Sequence, residues 1–486
     1  MKRNCTRGKS QARMRASAWL GALTALLAGN DARNNVCCAW STNSRSRQWR
    51  SSTKLFSSTS ASVNSNIVLR PSSDPEAFDS FRIGTARIHR YARDIDDGIG
   101  GEYVMWYHGR EHKFDESGEL PPLSTGRIGR ATSRNGLHWE RCEGSESEDI
   151  GGVSLGLNEE SWWGFDTAHV GLGQVMLPMS TPAVISEGGV YLMYYMGGSF
   201  EKTPLKLYLD SNHDIPDDAT IQGMNMRIGV ALSQDGKSWG RIEGDFPCGA
   251  VMVPYDTSDP NVDSAITMAD DDGSPLNIDE ELYCAWPDVV MNNLSDQQKT
   301  KVGKKGSKPN FFMYYSTMTK HTRQKVIACA VSEDGFRWYK RGVCLTPSDD
   351  LIDNGGCARC NVLKNASYDP DAMVWRDEIG WTMYYEGIDQ KDNKHRIMVA
   401  TSLDGRTWEK KGLVLDVGSD EDGAWDSDGV GSPHVIRMDD GSTRMYYTGQ
   451  GKDGSTAIGV AKCINHDNVT NGQAWAREQA EFSFSS

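Results

Sequence analysis

Short apolar and aromatic runs alternate with polar turns along most of this chain, and the pattern is clearest over residues 383–408. It begins with Met-Tyr-Tyr-Glu-Gly, crosses a polar turn, continues with Ile-Met-Val-Ala-Thr-Ser-Leu-Asp-Gly and ends at Trp408. An Asp-Gly pair after a β-rich run is a hairpin signal, because glycine supplies the positive φ that tight turns need. The pattern therefore predicts two antiparallel strands, followed by a third that begins with a large buried side chain.

The same pattern recurs along the chain. Its first half, a Met followed by two aromatic residues, lies at 105–107, 193–195, 313–315, 383–385 and 445–447. Its second half lies at 128–139, 228–239, 327–338 and 397–408, with a shortened copy at 458–461. One such unit is too small to bury its own face, so neighbouring units must stack. Short antiparallel units usually close into a β-propeller, and we predict an all-β fold, a five-bladed β-propeller that forms a single domain over residues 66–486.

Large loop insertions are also predicted. A four-stranded blade needs roughly 40–45 residues, and the chain supplies about twice that length for each repeat. Polar tracts indicate where the extra residues lie, at 144–161, 203–222, 254–281 and 296–309. Three repeats are preceded by an aromatic residue and an aspartate, in the pairs Phe78-Asp79, Phe165-Asp166 and Trp425-Asp426. We expect these aspartates to hydrogen-bond backbone N–H groups where a blade begins.

Residues 1–65 differ from the rest in composition, with 11 Lys and Arg residues and a single acid, Asp31. The apolar run 18–28 is too short to span a bilayer but suits the apolar region of a signal peptide. The Ser/Arg-rich stretch 41–60 suits an organellar transit peptide. Both in series predict a bipartite leader that directs the protein to a plastid. Secretion, or a disordered terminus without an address, are the alternatives.

Charge limits the partners of residues 66–486. The whole chain has a formal net charge of −14, and its leader is basic, so the acidity belongs to the remaining residues. A strongly acidic body argues against nucleic acid or an anionic membrane surface as partner. We expect a monomer without membrane contact once the leader is removed. Cys357 and Cys360 form a lone Cys-x-x-Cys pair with no second pair, so a structural zinc site is not expected.

Candidate chemistry lies in the segments that precede the aromatic strands, because the innermost strands of propeller blades converge on the central channel. Two of these segments contain Trp286-Pro287-Asp288 and Asp369-Pro370-Asp371, and the last contains Ser432-Pro433-His434. Alignment on the proline makes Asp288, Asp371 and His434 equivalent and directs them into the channel. Two carboxylates on adjacent blades suit glycoside cleavage, in which one is an ionised base or nucleophile and the other a protonated acid.

Other polar and aromatic residues are predicted at the same mouth. Glu386 directly follows an aromatic strand that returns to this face, and we predict a catalytic role for it beside Asp288 and Asp371. The predicted substrate-binding residues are Arg87, His108, His169, Trp286 and His434. No metal ligand set is predicted from the residues themselves.

These repeats, together with Trp286-Pro287-Asp288-Val289, resemble the arabinanase/levansucrase/invertase superfamily, whose nearest named members are family-43 and family-32 glycoside hydrolases. The resemblance implies a five-bladed propeller, a carbohydrate substrate and three channel carboxylates, with Asp288 matching an orienting aspartate. It also implies a central calcium ion near His434, because Gly431–His434 is similar to a motif of some members. The chain departs from the family at Arg87, where an aspartate is expected.

The resulting functional prediction is a glycoside hydrolase-like enzyme that cleaves an oligo- or polysaccharide at the propeller channel. Two alternatives stay open. The first is a non-catalytic carbohydrate-binding propeller. The second is a phosphate-dependent glycoside phosphorylase, in which Arg87 and His434 hold the anion.

Overall fold

The computed structural model describes residues 66–91, 102–111, 125–142, 151–177, 190–209, 215–258, 279–292, 310–349, 351–464 and 474–479. The predicted leader lies outside these residues, as do parts of the four polar tracts. Within the described residues the regular structure is β-strand, apart from a single 3₁₀ turn at Leu205–Leu207. The all-β prediction is therefore confirmed. No helix in this part of the chain is long and apolar enough to cross a membrane.

The strands form five antiparallel meanders, preceded by β1 (Ile67–Leu69). The first meander contains β2 (Arg82–Tyr91), β3 (Glu102–Arg110), β4 (Arg127–Ser133), β5 (Glu140–Arg141) and β6 (Val153–Leu155). The second contains β7 (His169–Met176), β8 (Tyr191–Gly198), the separate hairpin β9 (Lys202–Pro204) and β10 (Thr220–Gln222), then β11 (Arg227–Ser233) and β12 (Gly240–Ile242). The third contains β13 (Ala285–Met291), β14 (Phe311–Met318), β15 (Lys325–Ser332) and β16 (Tyr339–Leu345).

The last two meanders share one sheet. The fourth contains β17 (Gly356–Asp369), β18 (Val374–Ile388), β19 (His395–Ser402) and β20 (Glu409–Leu415). The fifth contains β21 (Gly429–Arg437), β22 (Thr443–Gln450), β23 (Thr456–Cys463) and β24 (Trp475–Arg477). A parallel bridge between His395 and Gly429 joins them. Both β1 and β24 pair with β23, so segments from opposite ends of the described chain complete the outer edge of the fifth meander.

The repeated motif forms because its aromatic strand is covered on both faces. Every residue of β8 and of β14 is buried, which explains their continuous apolar character. The turn that follows the next strand is fixed by side-chain hydrogen bonds, as at Ser233, whose Oγ accepts the N–H of Gly236 at 2.8 Å. Asp235 accepts the N–H of Lys237 at 2.8 Å, and Gly236 has a φ of 68°. The Ser-x-Asp-Gly spelling is therefore the chemistry of a tight turn.

Each meander contacts the next one in chain order. The first strands are in contact as β2 with β7, β7 with β13, β13 with β17, β17 with β21, and β21 with β2. Aromatic residues of the second strands also donate hydrogen bonds to glycine carbonyls in the turns of the following meander. These pairs are Trp106 with Gly236, Tyr194 with Gly335, Tyr314 with Gly405 and, from the last meander back to the first, Tyr446 with Gly136.

A buried acid, tyrosine and cation form one ionic cluster in every meander. The acid precedes the first strand, the tyrosine is the second aromatic residue of the repeat, and the cation lies on the outermost strand. The clusters are Asp79–Tyr107–Arg141, Asp166–Tyr195–Arg241, Glu281–Tyr315–Lys340, Asp353–Tyr385–Lys410 and Asp426–Tyr447–Arg477. The three aspartates expected to bind backbone N–H groups thus bind tyrosine hydroxyls and arginines instead.

Candidate functional site

The five first strands share a backbone irregularity where they line the centre. Each shows a register shift against the second strand, immediately before Arg87, Gln174, Asp288, Asn361 and His434. In four of them the shift contains a non-glycine residue with positive φ: Thr85 at 49°, Trp286 at 49°, Arg359 at 37° and Ser432 at 47°. Such backbone geometry costs about 1–3 kcal/mol for each residue and concentrates at functional sites, where β-bulges aim side chains.

The bulges show which residues are equivalent. Asp288 and His434 occupy the same position, as the alignment on proline predicted, but the residue of the fourth meander at this position is Asn361. Asp371 lies in the exposed turn between β17 and β18, where its own N–H donates to Asp369 at 3.1 Å. Because β17 continues from Asn361 to Asp369, this turn is about 25 Å along the strand from the central layer. The structure does not bring Asp371 to Asp288, and the predicted pair is wrong.

Asp288 is the centre of a buried polar layer. Its Oδ1 accepts hydrogen bonds from the side-chain amides of Gln174 and Asn361, both at 3.2 Å, and its Oδ2 accepts the N–H of Val362 at 2.8 Å. Arg87 Nη2 lies 3.6 Å from Oδ1. Burial raises the pKa of Asp288 to about 6, against the opposing effects of Arg87 and the hydrogen bonds. The carboxylate is therefore fully engaged in holding this layer together.

His434 belongs to the same layer. Its Nε2 lies 3.0 Å from the carbonyl oxygen of Ile88, and burial together with the positive charge of Arg87 lowers its pKa to about 3, so the ring is neutral. A calcium ion requires several oxygen ligands, whereas the charged neighbour here is a guanidinium. No group of three His, Cys, Asp or Glu residues suited to a metal occurs in the described ranges. The residues around His434 do not fit the calcium ion that the resemblance implied.

Arg87 does not project towards a ligand either. Besides Asp288, its guanidinium contacts the carbonyl oxygens of Pro433 at 3.2 Å and Cys360 at 3.3 Å. The anion-binding role that the phosphorylase alternative gave to Arg87 and His434 therefore has no support in this layer.

A cavity of about 100 Å³ lies beside this layer, and Glu386 is on its wall. Glu386 is buried, with Arg359 Nη1 at 3.2 and 3.3 Å from its two oxygens and the N–H of Ser432 donating to Oε2 at 3.0 Å. Its Oε1 also contacts Nδ1 of His395. Burial alone would raise the pKa of Glu386, but Arg359 and His395 lower it to about 2. The cavity therefore contains an ionised carboxylate at all physiological pH values.

Three histidines lie in or next to the cavity. Burial lowers the pKa of His395 despite the attraction of Glu386, and burial with the nearby arginines Arg110 and Arg359 lowers that of His108. His169, adjacent to His108, has its pKa lowered to about 4 by burial, and its Nε2 lies 2.8 Å from the carbonyl oxygen of Gly223. All three rings are neutral at pH 7. The Nε2 atoms of His108 and His395 have no hydrogen-bond partner among the described residues.

Trp286 and the cations complete the cavity wall. The indole of Trp286 lies under the guanidinium of Arg359, which is 4.5 Å from the ring centroid. Arg82 and Arg110, register partners on β2 and β3, line the same cavity.

The structure thus brings together three of the predicted site residues, His108, Trp286 and Glu386, in one cavity. Arg87, Asp288 and His434 form the layer beside it, His169 abuts His108, and Asp371 is remote. Sequence reasoning missed Arg82, Arg110, Arg359 and His395. Their only signal was position: Arg359 lies inside the Cys-x-x-Cys pair at the entry of the fourth repeat, and His395 starts the strand before its Asp-Gly turn.

Solved carbohydrate-active enzymes are similar to this chain. One is a glycosyl hydrolase from Bacteroides ovatus, at 13% identity over 82% of this chain and 91% of that chain, with a TM-score of 0.46. Another is a β-1,2-mannobiose phosphorylase from Listeria innocua in complex with β-1,2-mannobiose, at 12% identity over 83% and 96%, with a TM-score of 0.46. A third is BT0996 in its RGII complex, at 14% identity over 82% and 90%, with a TM-score of 0.47. No protein-family profile and no curated protein sequence matches the chain.

Proposed function

We propose that the five meanders are the blades of a single five-bladed propeller. The cyclic order of first-strand contacts supports this arrangement, as does the hydrogen bond from Tyr446 of the last meander to Gly136 of the first. The five ionic clusters at equivalent places support a fivefold repeat. In such a ring the cavity of Glu386 lies at one end of the central channel, and the layer of Asp288 closes the channel beneath it.

At this cavity we propose that the protein is a carbohydrate-active enzyme that cleaves a glycosidic bond. The observation that carries the proposal is Glu386, a buried and ionised carboxylate on the wall of a channel cavity, beside the indole of Trp286 and two neutral imidazoles. An indole face suits the apolar face of a sugar ring. A fixed negative charge stabilises the positive charge that develops on the sugar during cleavage.

The contact between Glu386 and His395 defines the base. With an ionised carboxylate at Nδ1, the neutral ring carries its proton on Nδ1, so the Nε2 lone pair faces the cavity. Nε2 can then accept a proton from a water molecule or a substrate hydroxyl, while Glu386 orients the ring and stabilises its charged form. Glu386 itself does not donate a proton near neutral pH, because its pKa is about 2. Asp288 does not line the cavity, and we assign it a positioning role.

The test is cleavage of mixed plant and algal oligosaccharides by the full chain, with Glu386→Gln and His395→Gln as variants. Each substitution removes one partner of the pair, and activity should fall about 10²–10⁴-fold. Asp371→Asn, in the remote turn, is the matched control and should keep its activity. Full activity in Glu386→Gln would overturn the proposal.

The products separate hydrolysis from the alternatives. A free reducing sugar identifies water as the acceptor, and we favour this outcome because Nε2 of His395 is placed to activate it. A sugar phosphate formed only in phosphate buffer identifies a phosphorylase. Saccharide binding without turnover in the unaltered protein identifies a binding module.

A further inference from the structure

Positive charge accumulates around this cavity beyond what its carboxylate can balance. Three guanidinium groups, those of Arg82, Arg110 and Arg359, line the cavity, and Glu386 is the only carboxylate among its described lining residues. Lys325 is close enough for its charge to act on Arg359 and Glu386. This excess of cations occurs in a chain whose formal net charge is −14, so it is a local feature.

The cations repel one another at short range. Burial, followed by the charges of Arg82 and Arg359, lowers the pKa of Arg110 to about 9. Burial likewise lowers the pKa of Lys325 to about 8, with a further contribution from Arg359. Burial lowers the pKa of Arg82, and no carboxylate contributes to its environment. Buried like charges are costly unless an opposite charge joins them, so the cluster favours an anionic ligand.

Hydrogen-bonding groups without a partner face the same space. Nε of Arg82 and Nε2 of His395 have no partner among the described residues, and His395 is more than nine-tenths buried. Arginine forks match the geometry of carboxylate, sulfate and phosphate oxygens, and bonds between charged partners are the strongest of their kind. A neutral imidazole nitrogen accepts a hydrogen bond from a neighbouring hydroxyl. A volume of about 100 Å³ suits an oxyanion and its neighbouring hydroxyl better than a whole oligosaccharide.

We propose that this cavity is a subsite for an oxyanion, held by Arg82 with Arg110 and supported by Arg359. Resting on the proposed function, we assign that oxyanion to an acidic saccharide whose carboxylate or sulfate group enters the cavity. The sugar ring would then lie over Trp286, and a hydroxyl beside the acidic group would reach Nε2 of His395. A free phosphate ion carries the same chemistry and is the other source of the anion.

The experiment measures binding, not turnover, so it stands apart from the test of cleavage. Glucuronate, glucose, sulfate and inorganic phosphate are titrated calorimetrically into the full chain at pH 7 and low salt. Glucuronate should bind at least tenfold tighter than glucose, and the difference should shrink as salt is raised because the attraction is ionic. Arg82→Gln should weaken anion binding about 10–100-fold, as expected for one lost charged hydrogen bond, while Arg82→Lys should restore part of it.

Two further variants make the result decisive. Arg376→Gln is the matched control, because Arg376 is exposed and paired with Asp369 on the remote β17–β18 hairpin, and it should change nothing. Glu386→Gln should bind the anion more tightly, since it removes the opposing charge, even where it abolishes cleavage. Tighter binding of glucuronate than of phosphate supports the subsite and places the anion on the sugar. Tighter binding of phosphate supports the subsite with a free ion. Equal binding of glucose and the anions, or unchanged binding in Arg82→Gln, overturns it.

Discussion

One nitrogen of Arg359, Nη1, contacts both carboxylate oxygens of Glu386, at 3.2 and 3.3 Å. Arg359 reaches this position from a bulge in which its φ is 37°, a value that side chains other than glycine rarely adopt. The strained backbone therefore aims the guanidinium between Glu386 and the face of Trp286. The same strand, two residues later, places Asn361 on Asp288. One bulge thus links the cavity to the layer beside it.

Arg359→Met should raise the pKa of Glu386. With the guanidinium gone, burial is opposed only by His395 and the Ser432 N–H, so the pKa should move from about 2 towards or above the usual value for glutamate. The acid limb of the pH–activity profile should then move to higher pH, while the alkaline limb stays in place. Arg376→Met should leave the whole profile unchanged. An unshifted acid limb in Arg359→Met would show that Glu386 does not titrate in the reaction.

Stability should fall as the pH drops below about 6.5. The pKa of buried His434 is about 3 and that of His169 about 4, so between these values and 6.5 the unfolded chain binds protons that the folded one does not. Each histidine then lowers the free energy of unfolding by about 1.4 kcal/mol per pH unit. Asp288, with its pKa of about 6, has the opposite effect between about 3.8 and 6 and offsets one of the two.

His434→Gln checks this account through denaturant unfolding at pH 7, 6, 5 and 4. The variant should be less dependent on pH by the contribution of one proton. His321→Gln, a change at an exposed ring, should keep the dependence of the unaltered protein. An equal dependence in both variants would contradict the neutral, buried state of His434.

The ionic clusters should contribute to stability unequally. Asp166→Asn removes the charge that holds Arg241, at 2.7 Å, and Tyr195, at 2.9 Å, and should lower the free energy of unfolding by about 3 kcal/mol. Tyr195→Phe leaves the ion pair intact and should cost about 1 kcal/mol. Urea unfolding at pH 7 measures both, with the exposed Asp371→Asn as a control expected within about 0.5 kcal/mol. A larger loss in Tyr195→Phe than in Asp166→Asn would show that the hydroxyl, not the charge, holds the cluster.

We propose that residues 1–65 direct the protein to a plastid. The basic start, the short apolar run 18–28 and the Ser/Arg-rich stretch 41–60 motivate this. A fluorescent reporter fused to residues 1–65 should enter the plastid in an algal host, and replacement of Leu26 and Leu27 by Asp should block entry by disrupting the apolar run. Secretion of the reporter would identify an extracellular enzyme, and a cytosolic reporter would contradict a targeting role.

The sequence by itself determined the strands and their repetition. Met-Tyr-Tyr and Ser-x-Asp-Gly specify a doubly buried strand and a tight turn through local chemistry, so their spacing could be counted without knowing how the units pack. It also pointed to three residues of the cavity, His108, Trp286 and Glu386, because each lies next to a repeated strand whose end could be placed.

Only the tertiary structure decided which residues meet at the centre. The bulges set the register of each first strand, and they put Asn361 where alignment on proline had put Asp371, since Asp-Pro there belongs to a hairpin turn instead. Arg82, Arg359 and His395 come from three different strands, and nothing local marks them as neighbours. Their charges act on Glu386 only because burial removes the water that would otherwise screen them, and burial is a property of the packed chain.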